Sequence, residues 1–273
     1  MKPDDMPVVA GSEAARLEPP AAPAAERWTM QRVLWVKPWS PTLFSFATSR
    51  SPEYDFIPGQ FARLGVATAE GPVWRAYSLV ARPEDDFLEF FSVIVPNGAF
   101  TSRLSQMRSG DEIMVDKTSY GFLTTERFAD GRDLWLLGSG TGIGPFISIL
   151  RSGTAARFEN AVLVHSVRRG SELAYREEIA AMRQQPGAGA RLHYVPVVTR
   201  EPCKGALAVR IPQLIESGRL QQEVSLPLDL ERSRLMICGN PEMAAELRSL
   251  LGDRGFRVGR RAQPGQLAFE NYW

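Results

Sequence analysis

The chain has 273 residues, 44% of them hydrophobic and 23% charged, which is enough length and apolar content for two globular domains with real cores. A formal net charge of +1 excludes recognition of nucleic acid or an anionic membrane through a whole-molecule field, so a charged partner must be read by a local patch. Two cysteines, Cys203 and Cys238, and two histidines, His165 and His193, exclude a zinc framework, a disulfide scaffold and a resident iron–sulfur cluster, which takes about four thiolates.

Residues 1–27, "MKPDDMPVVAGSEAARLEPPAAPAAER", are rich in Pro and Ala without apolar periodicity. They lack the cationic start and apolar core of a secretory signal, and nothing later offers the roughly 18 apolar residues of a membrane span. The expectation is a cytoplasmic chain with a flexible extension and no bound metal. From Trp28 to about Phe122 come short runs rich in β-branched and aromatic residues: "TMQRVLWVKPW", "LFSFAT", "QFARLGV", "RAYSLV", "FLEFFSVIV" and "DEIMVD". Pro and Gly punctuate them, so the spacing predicts an antiparallel barrel or sandwich. One helix is predicted over "GAFTSRLSQM", opened by a Thr/Ser capping signal. In "RAYSLV", strand alternation sends Arg75 and Tyr77 to one face and Ala76 and Ser78 to the other. That pattern suits a phosphate-bearing planar ligand and, equally, an ordinary cross-strand Arg–Tyr contact.

Between about residues 123 and 132 the pattern changes. "DLWLLGS", "NAVLVHSV", "RLHYVPVV" and "SRLMICGN" are continuous apolar runs, as in parallel strands buried on both faces. They alternate with the helix-like "GPFISILRSG", "ELAYREEIAAMRQQ" and "PEMAAELRSLLGDRG", which predicts a doubly wound α/β domain. The first strand enters "GSGTGIGP", residues 138–145, where glycines let a backbone approach a dinucleotide pyrophosphate. A tight strand-to-helix turn needs glycine too. The second strand ends with Arg168 and Arg169 and no carboxylate, the third places Arg200 at the same edge, and Arg210 follows. Any one of them alone reads better as an ordinary surface arginine, but guanidinium forks at a shared strand edge suit a ribose 2′-phosphate, hence NADP(H) over NAD(H). Cys238 falls at the carboxyl edge of the fourth strand, beside the nicotinamide end of such a ligand, or is simply a small buried side chain.

Taken together, "FIPGQF", "RAYS", "VPNGAFTSRL", "GSGTGIGP", "VVTRE", "CGNPEM" and the ending "ENYW" resemble, in order and spacing, the bacterial branch of the ferredoxin/flavodoxin-NADP(+) reductase family, over about residues 30–273. The resemblance implies a two-domain β plus α/β fold: a six-stranded antiparallel FAD-binding barrel, 28–125, then a Rossmann-like parallel-sheet NADP(H)-binding domain, 126–273, whose tail returns to FAD. It implies FAD contacts from Arg75, Ala76, Tyr77 and Ser78, from Phe91, Ser92, Val93 and Ile94, from Ala99, Phe100 and Thr101, and from Thr141. Tyr77 is expected against the isoalloxazine and Ser78 near its N5. Tyr272 is expected to face the isoalloxazine and Trp273 to stack on the adenine. For NADP(H) it implies Gly140, Thr141, Gly142, Val167, Arg168, Thr199, Arg200, Arg210, Gly239 and Asn240. The catalytic set it implies is Tyr77, Ser78, Cys238, Glu270 and Tyr272.

The expected activity is exchange of a hydride with NADP(H) and of single electrons with a separate ferredoxin or flavodoxin. Such carriers are acidic, so a basic patch is expected, with Arg103, Arg108, Lys117 and Arg127 as candidates. The competing readings are an oxygenase reductase component or free-flavin reductase, and a nucleotide-binding regulatory module. Nothing in the sequence demands more than a monomer.

Overall fold

The computed structural model describes residues 27–184, 189–260 and 263–271. The first sheet contains β1 (Trp28–Pro38), β2 (Leu43–Ser49), β3 (Phe61–Thr68), β4 (Gly71–Ser78), β5 (Phe87–Val93) and β6 (Glu112–Asp116), all antiparallel, in the order β4-β3-β6-β1-β2-β5. Pro72 sits in β4 without breaking a ladder because β4 is an edge strand. The sheet curls until its two edges touch: Leu79 bridges Phe90, and the Val80 amide donates to the Glu89 carbonyl at 2.9 Å. Helix α1 (Ala99–Leu104) adds Phe100 and Leu104 to the barrel core around Phe46, Leu64 and Phe90. Its cap is not the expected hydroxyl. Gly98 holds the N-cap, while Thr101 Oγ1 accepts from the Val95 amide at 3.1 Å and donates to the Val95 carbonyl at 3.2 Å.

The second sheet is parallel, with β7 (Asp133–Ser139), β8 (Asn160–Val167), β9 (Arg191–Val198), β10 (Ser233–Gly239) and β11 (Leu267–Asn271) in the order β11-β10-β7-β8-β9. It packs among α2 (Gly144–Arg151), α3 (Arg176–Arg183), α4 (Ile211–Glu216), α5 (Arg219–Val224) and α6 (Pro241–Asp253). Strand alternation splits β7 between two cores, Leu134 and Leu136 on one side and Trp135 and Leu137 on the other. Chain order steps from β7 outward to β8 and β9, then crosses back to β10, so a crevice opens at the carboxyl ends of β7 and β10. Among the described residues no helix is long and apolar enough to cross a membrane, and no group of three or more His, Cys, Asp or Glu side chains is placed to hold a metal ion.

The two sheets share a core, in which Leu43, Val80 and Phe91 meet Phe146, Ile147 and Tyr175. Through it runs a directed series of hydrogen bonds. Trp39 Nε1 donates to Ser45 Oγ at 2.8 Å, and Tyr175 OH donates to Glu89 Oε1 at 2.9 Å, so the Ser45 hydroxyl points at Tyr175 OH, 2.5 Å away. Arg151 closes the series, reaching Glu89 Oε2 at 2.5 Å and Glu178 Oε1 at 2.6 Å. Burial opposes its charge, but Glu178 and Glu89 outweigh that and hold Arg151 above its ordinary value. Removing Glu89 would leave the half-exposed Glu178 as the one carboxylate on Arg151 and take the acceptor from the buried Tyr175 hydroxyl. Glu89→Ala is therefore expected to destabilise the protein by about 3 kcal/mol or more, read as a shifted midpoint in urea unfolding.

Candidate active site

Where the barrel edges diverge beyond Leu79 and Phe90, a cleft of about 350 Å³ opens between β4 and β5. Its lining is Arg75, Ala76, Tyr77 and Ser78 from β4, Phe91, Ser92 and Val93 from β5, Val95, Gly98, Ala99, Phe100 and Thr101 around α1, and Thr141 from the glycine turn. All four β4 residues face it, because an edge strand presents both its faces and its unpaired backbone to a groove along its side. Among the expected FAD residues Ile94 does not line the cleft; it packs at the margin of the barrel core. Tyr77 packs on Phe100 at 5.5 Å and edge-on to Phe46 at 6.3 Å, with its hydroxyl 3.3 Å from Ser92 Oγ. Burial pushes its phenol up to about 12, against the pull of Ser92 and then Arg75, so Tyr77 offers a neutral flat ring and no acid–base chemistry at pH 7.

The glycine turn, Gly140–Ile143, runs straight into α2 and joins this cleft to the crevice of the parallel sheet. Ser78 and Val80 face the start of α2 at Gly144, where a Cβ would stand in ordinary contact, 3.5 Å from Ser78 Cβ and 3.4 Å from Val80. Gly142 is pressed on the end of β10, where an added Cβ would fall 2.6 Å from the Cys238 carbonyl carbon and 2.7 Å from the Gly239 amide. Cys238 pairs in register with Glu270 on β11, and Gly121 comes within 2.9 Å of Phe61 by the same measure, against Glu270 Oε1. Ser78, Thr141, Cys238 and Glu270 thus lie along one seam, carried by β4, the turn, β10 and β11.

At the outer end of the crevice the Arg200 amide donates to the Arg168 carbonyl at 2.9 Å, and the Thr199 amide to the Val167 carbonyl at 3.0 Å, so both exposed arginines leave adjacent strand ends. Arg169 is held by Glu201 at 3.2 Å. Arg210 is held by Glu246 on α6 at 2.5 Å. Asn240 is occupied as the cap of α6, its Oδ1 accepting from the amides of Glu242 at 2.8 Å and Met243 at 3.1 Å, and the Thr199 hydroxyl donates to the Val167 carbonyl at 3.2 Å. Gly239 has a φ of 127°, which favours glycine, and its added Cβ would meet Ser139 N at 3.0 Å.

Residues 38–122 match the oxidoreductase FAD-binding domain family, and residues 136–249 the oxidoreductase NAD-binding domain family. A ferredoxin–NADP reductase A of Sorangium cellulosum is 42% identical over 250 residues, 89% of this chain and 89% of that one. A ferredoxin–NADP reductase of Pseudomonas aeruginosa is 38% identical over 248 residues, 88% of this chain and 95% of its own. The chain belongs to the ferredoxin/flavodoxin-NADP(+) reductase family. A crystal structure of a ferredoxin NADP+ reductase from Neisseria gonorrhoeae, with bound FAD and NADP, superposes with a TM-score of 0.86 at 39% identity, covering 91% of this chain and 100% of that one.

Val95 and Gly98 also line the cleft, although no sequence motif pointed to them, and Phe122 is 77% exposed. Arg127 lies 5.9 Å over the Phe122 ring and donates to the Gly259 carbonyl at 2.6 Å. Of the other basic candidates, Arg103 lies in the last turn of α1, Arg108 sits in the turn before β6 and Lys117 follows β6, all exposed. Tyr272 and Trp273 lie outside the described residues. Burial, and then the Glu270 charge, raises the Cys238 thiol well above its usual range, whereas Cys203 is half-buried. Less thiolate means less alkylation. Iodoacetamide at pH 8 is expected to label Cys203 and spare Cys238 in the native protein, and to label both in denaturant, as read by mass spectrometry.

Proposed function

We propose that the protein is an FAD-dependent reductase that exchanges a hydride with NADP(H) and single electrons with a ferredoxin or flavodoxin. The observation carrying this reading is the shared wall at Thr141: the glycine turn of the dinucleotide crevice is also a side of the aromatic cleft. Two planar rings placed in those two sites meet. Family membership and the match of both domain families support the same reading. We take 28–125 and 126–273 as the two cofactor-binding units.

FAD supplies, when bound, the exchange between two-electron and one-electron chemistry. Tyr77 contributes a neutral face for the flavin ring. Arg75, exposed and reaching along β4 with Nη1 on the Trp74 carbonyl at 2.8 Å, is the cation for its phosphates, beside first-turn amides of α1 that no side chain caps. Ser78, which lines the cleft beside Thr141, is a small side chain on the side from which the nicotinamide approaches. Cys238 serves as a small neutral wall and not as a nucleophile, with Glu270 beside it on β11. Arg168 and Arg200 read the 2′-phosphate, and Arg210 joins them only by leaving Glu246. Both sites are built from one chain, which suits a monomer as the working unit, and two unpaired cysteines suit a reducing, cytoplasmic compartment.

The carrier docks by charge at basic residues, with the exposed Arg103, Arg108 and Lys117 and the half-buried Arg127 as candidates. Steady-state reduction of ferredoxin or flavodoxin by NADPH tests the proposal. Turnover whose kcat/KM for the carrier falls with rising ionic strength is expected. NADPH oxidation that proceeds with free flavin while neither carrier is reduced would overturn it.

A further inference from the structure

The proposed reaction gives no task to His165, a fully buried histidine on β8. Its register neighbours are Gly138 on β7 and Pro196 on β9, which puts it at the carboxyl edge, and its Nε2 lies 3.2 Å from the carbonyl oxygen of Gly140 in the glycine turn. A carbonyl can only accept, so Nε2 carries the proton. Burial pulls the imidazole down to about 4, outweighing the carbonyl hydrogen bond that favours the charged form, so the ring is neutral at pH 7 and Nδ1 is an acceptor. Among the described residues Nδ1 has no partner. An orphaned buried acceptor costs about 1–3 kcal/mol, which an apolar side chain filling the same space would not. Packing alone therefore gives no reason for a histidine here.

The hydrogen bond that is made explains the choice. In a trans peptide the C=O and the following N–H point in opposite directions. With the Gly140 carbonyl turned inward to His165, the Thr141 amide is turned outward, on the residue that lines the cleft. Gly140 itself has a φ of 55°, a backbone region that glycine favours, and it opens the single 3-10 turn Gly140–Ile143, so one inward carbonyl sets how that turn starts.

We infer that His165 is a positioning residue for the proposed reaction: through its Nε2–H it fixes the Gly140–Thr141 peptide, and with it the turn where the two cofactor sites meet. The inference rests on the proposed hydride exchange for its purpose, and on the Nε2–H tautomer for its geometry. The tautomer can be read directly in the wild-type holoprotein, labelled with 15N-histidine, because the chain has only two histidines to distinguish. Long-range 1H–15N correlation spectra are expected to show one ring as a neutral Nε2–H tautomer that does not titrate between pH 5.5 and 8. An Nδ1–H tautomer, or two titrating rings, would overturn the inference even if catalysis proceeds as proposed.

Two variants then separate positioning from packing. His165→Met fills the space without a donor, and His165→Gln keeps one. His165→Met is expected to retain FAD stoichiometrically, to bind NADP+ more weakly in isothermal titration, and to slow flavin reduction by NADPH about tenfold; His165→Gln is expected to recover both to within about threefold. His165→Met behaving like wild type, or His165→Gln as impaired as His165→Met, would assign His165 to the core. If His165→Met does not fold, the wild-type spectrum decides alone.

Discussion

Gly142→Ala is expected to lower kcat/KM for NADPH by about 100-fold or more while the protein still folds and binds FAD. An added Cβ would lie 2.6 Å from the Cys238 carbonyl carbon and 2.7 Å from the Gly239 amide, and neither backbone can yield without moving β10 or the turn. Either movement displaces the turn by something near an ångström at the meeting point of the two cofactors, and misplacement on that scale costs roughly 10²-fold in rate. Gly140→Ala is the contrasting control. Its Cβ would meet nothing within 4 Å, so the cost is the left-handed backbone alone, about 1–2 kcal/mol of stability. Stopped-flow reduction of the bound flavin, with FAD content checked by absorbance, distinguishes the two. Equal effects from both variants would mean that the contact with β10 does not set the geometry.

Arg168→Ala combined with Arg200→Ala is expected to lower kcat/KM for NADPH by about 100-fold, or about 3 kcal/mol, with NADH changed by less than about threefold. The two side chains leave neighbouring strand ends whose backbones are bonded at 2.9 Å, and both are exposed. No comparable freedom belongs to Arg210, which Glu246 already holds, or to Arg169, which Glu201 holds. Arg210→Ala alone is therefore expected to do less than either of the pair. Equal losses for NADPH and NADH in the double variant would show that these guanidinium groups do not read the 2′-phosphate.

The residues that carried the fold were those whose pattern is local. "LWLLGSGTGIGP" states a buried strand, a turn and a helix start in consecutive residues, and β7, the turn and α2 follow it. "LAFEN" carries no such pattern. It becomes β11 only because β10 offers an open parallel edge, a partner about 30 residues away in the chain. The hydroxyl series from Trp39 to Arg151 was equally hidden, since Ser45 and Tyr175 stand 130 positions apart.

Within the site, side-chain chemistry suggested ligands wherever a polar group stood at the right strand end. The structure shows that some of those groups have other work: Asn240 caps α6, the Thr101 hydroxyl closes on Val95, and the Thr199 hydroxyl binds Val167. Competition between a ligand and a nearby backbone group is decided by local geometry that residue identity does not encode. His165 shows the converse. Nothing in its sequence position set it apart within an apolar strand, and only its contact with Gly140 shows what it can do there.

A flavin in the β4–β5 cleft is expected to face a nicotinamide held by the glycine turn. Anaerobic titration of the purified protein, followed by flavin absorption, tests it most directly. The account predicts a yellow protein whose flavin bands are bleached by about one equivalent of NADPH, at least tenfold more efficiently than by NADH. A colourless protein that takes up no FAD, or a flavin that NADPH leaves oxidised, would contradict it.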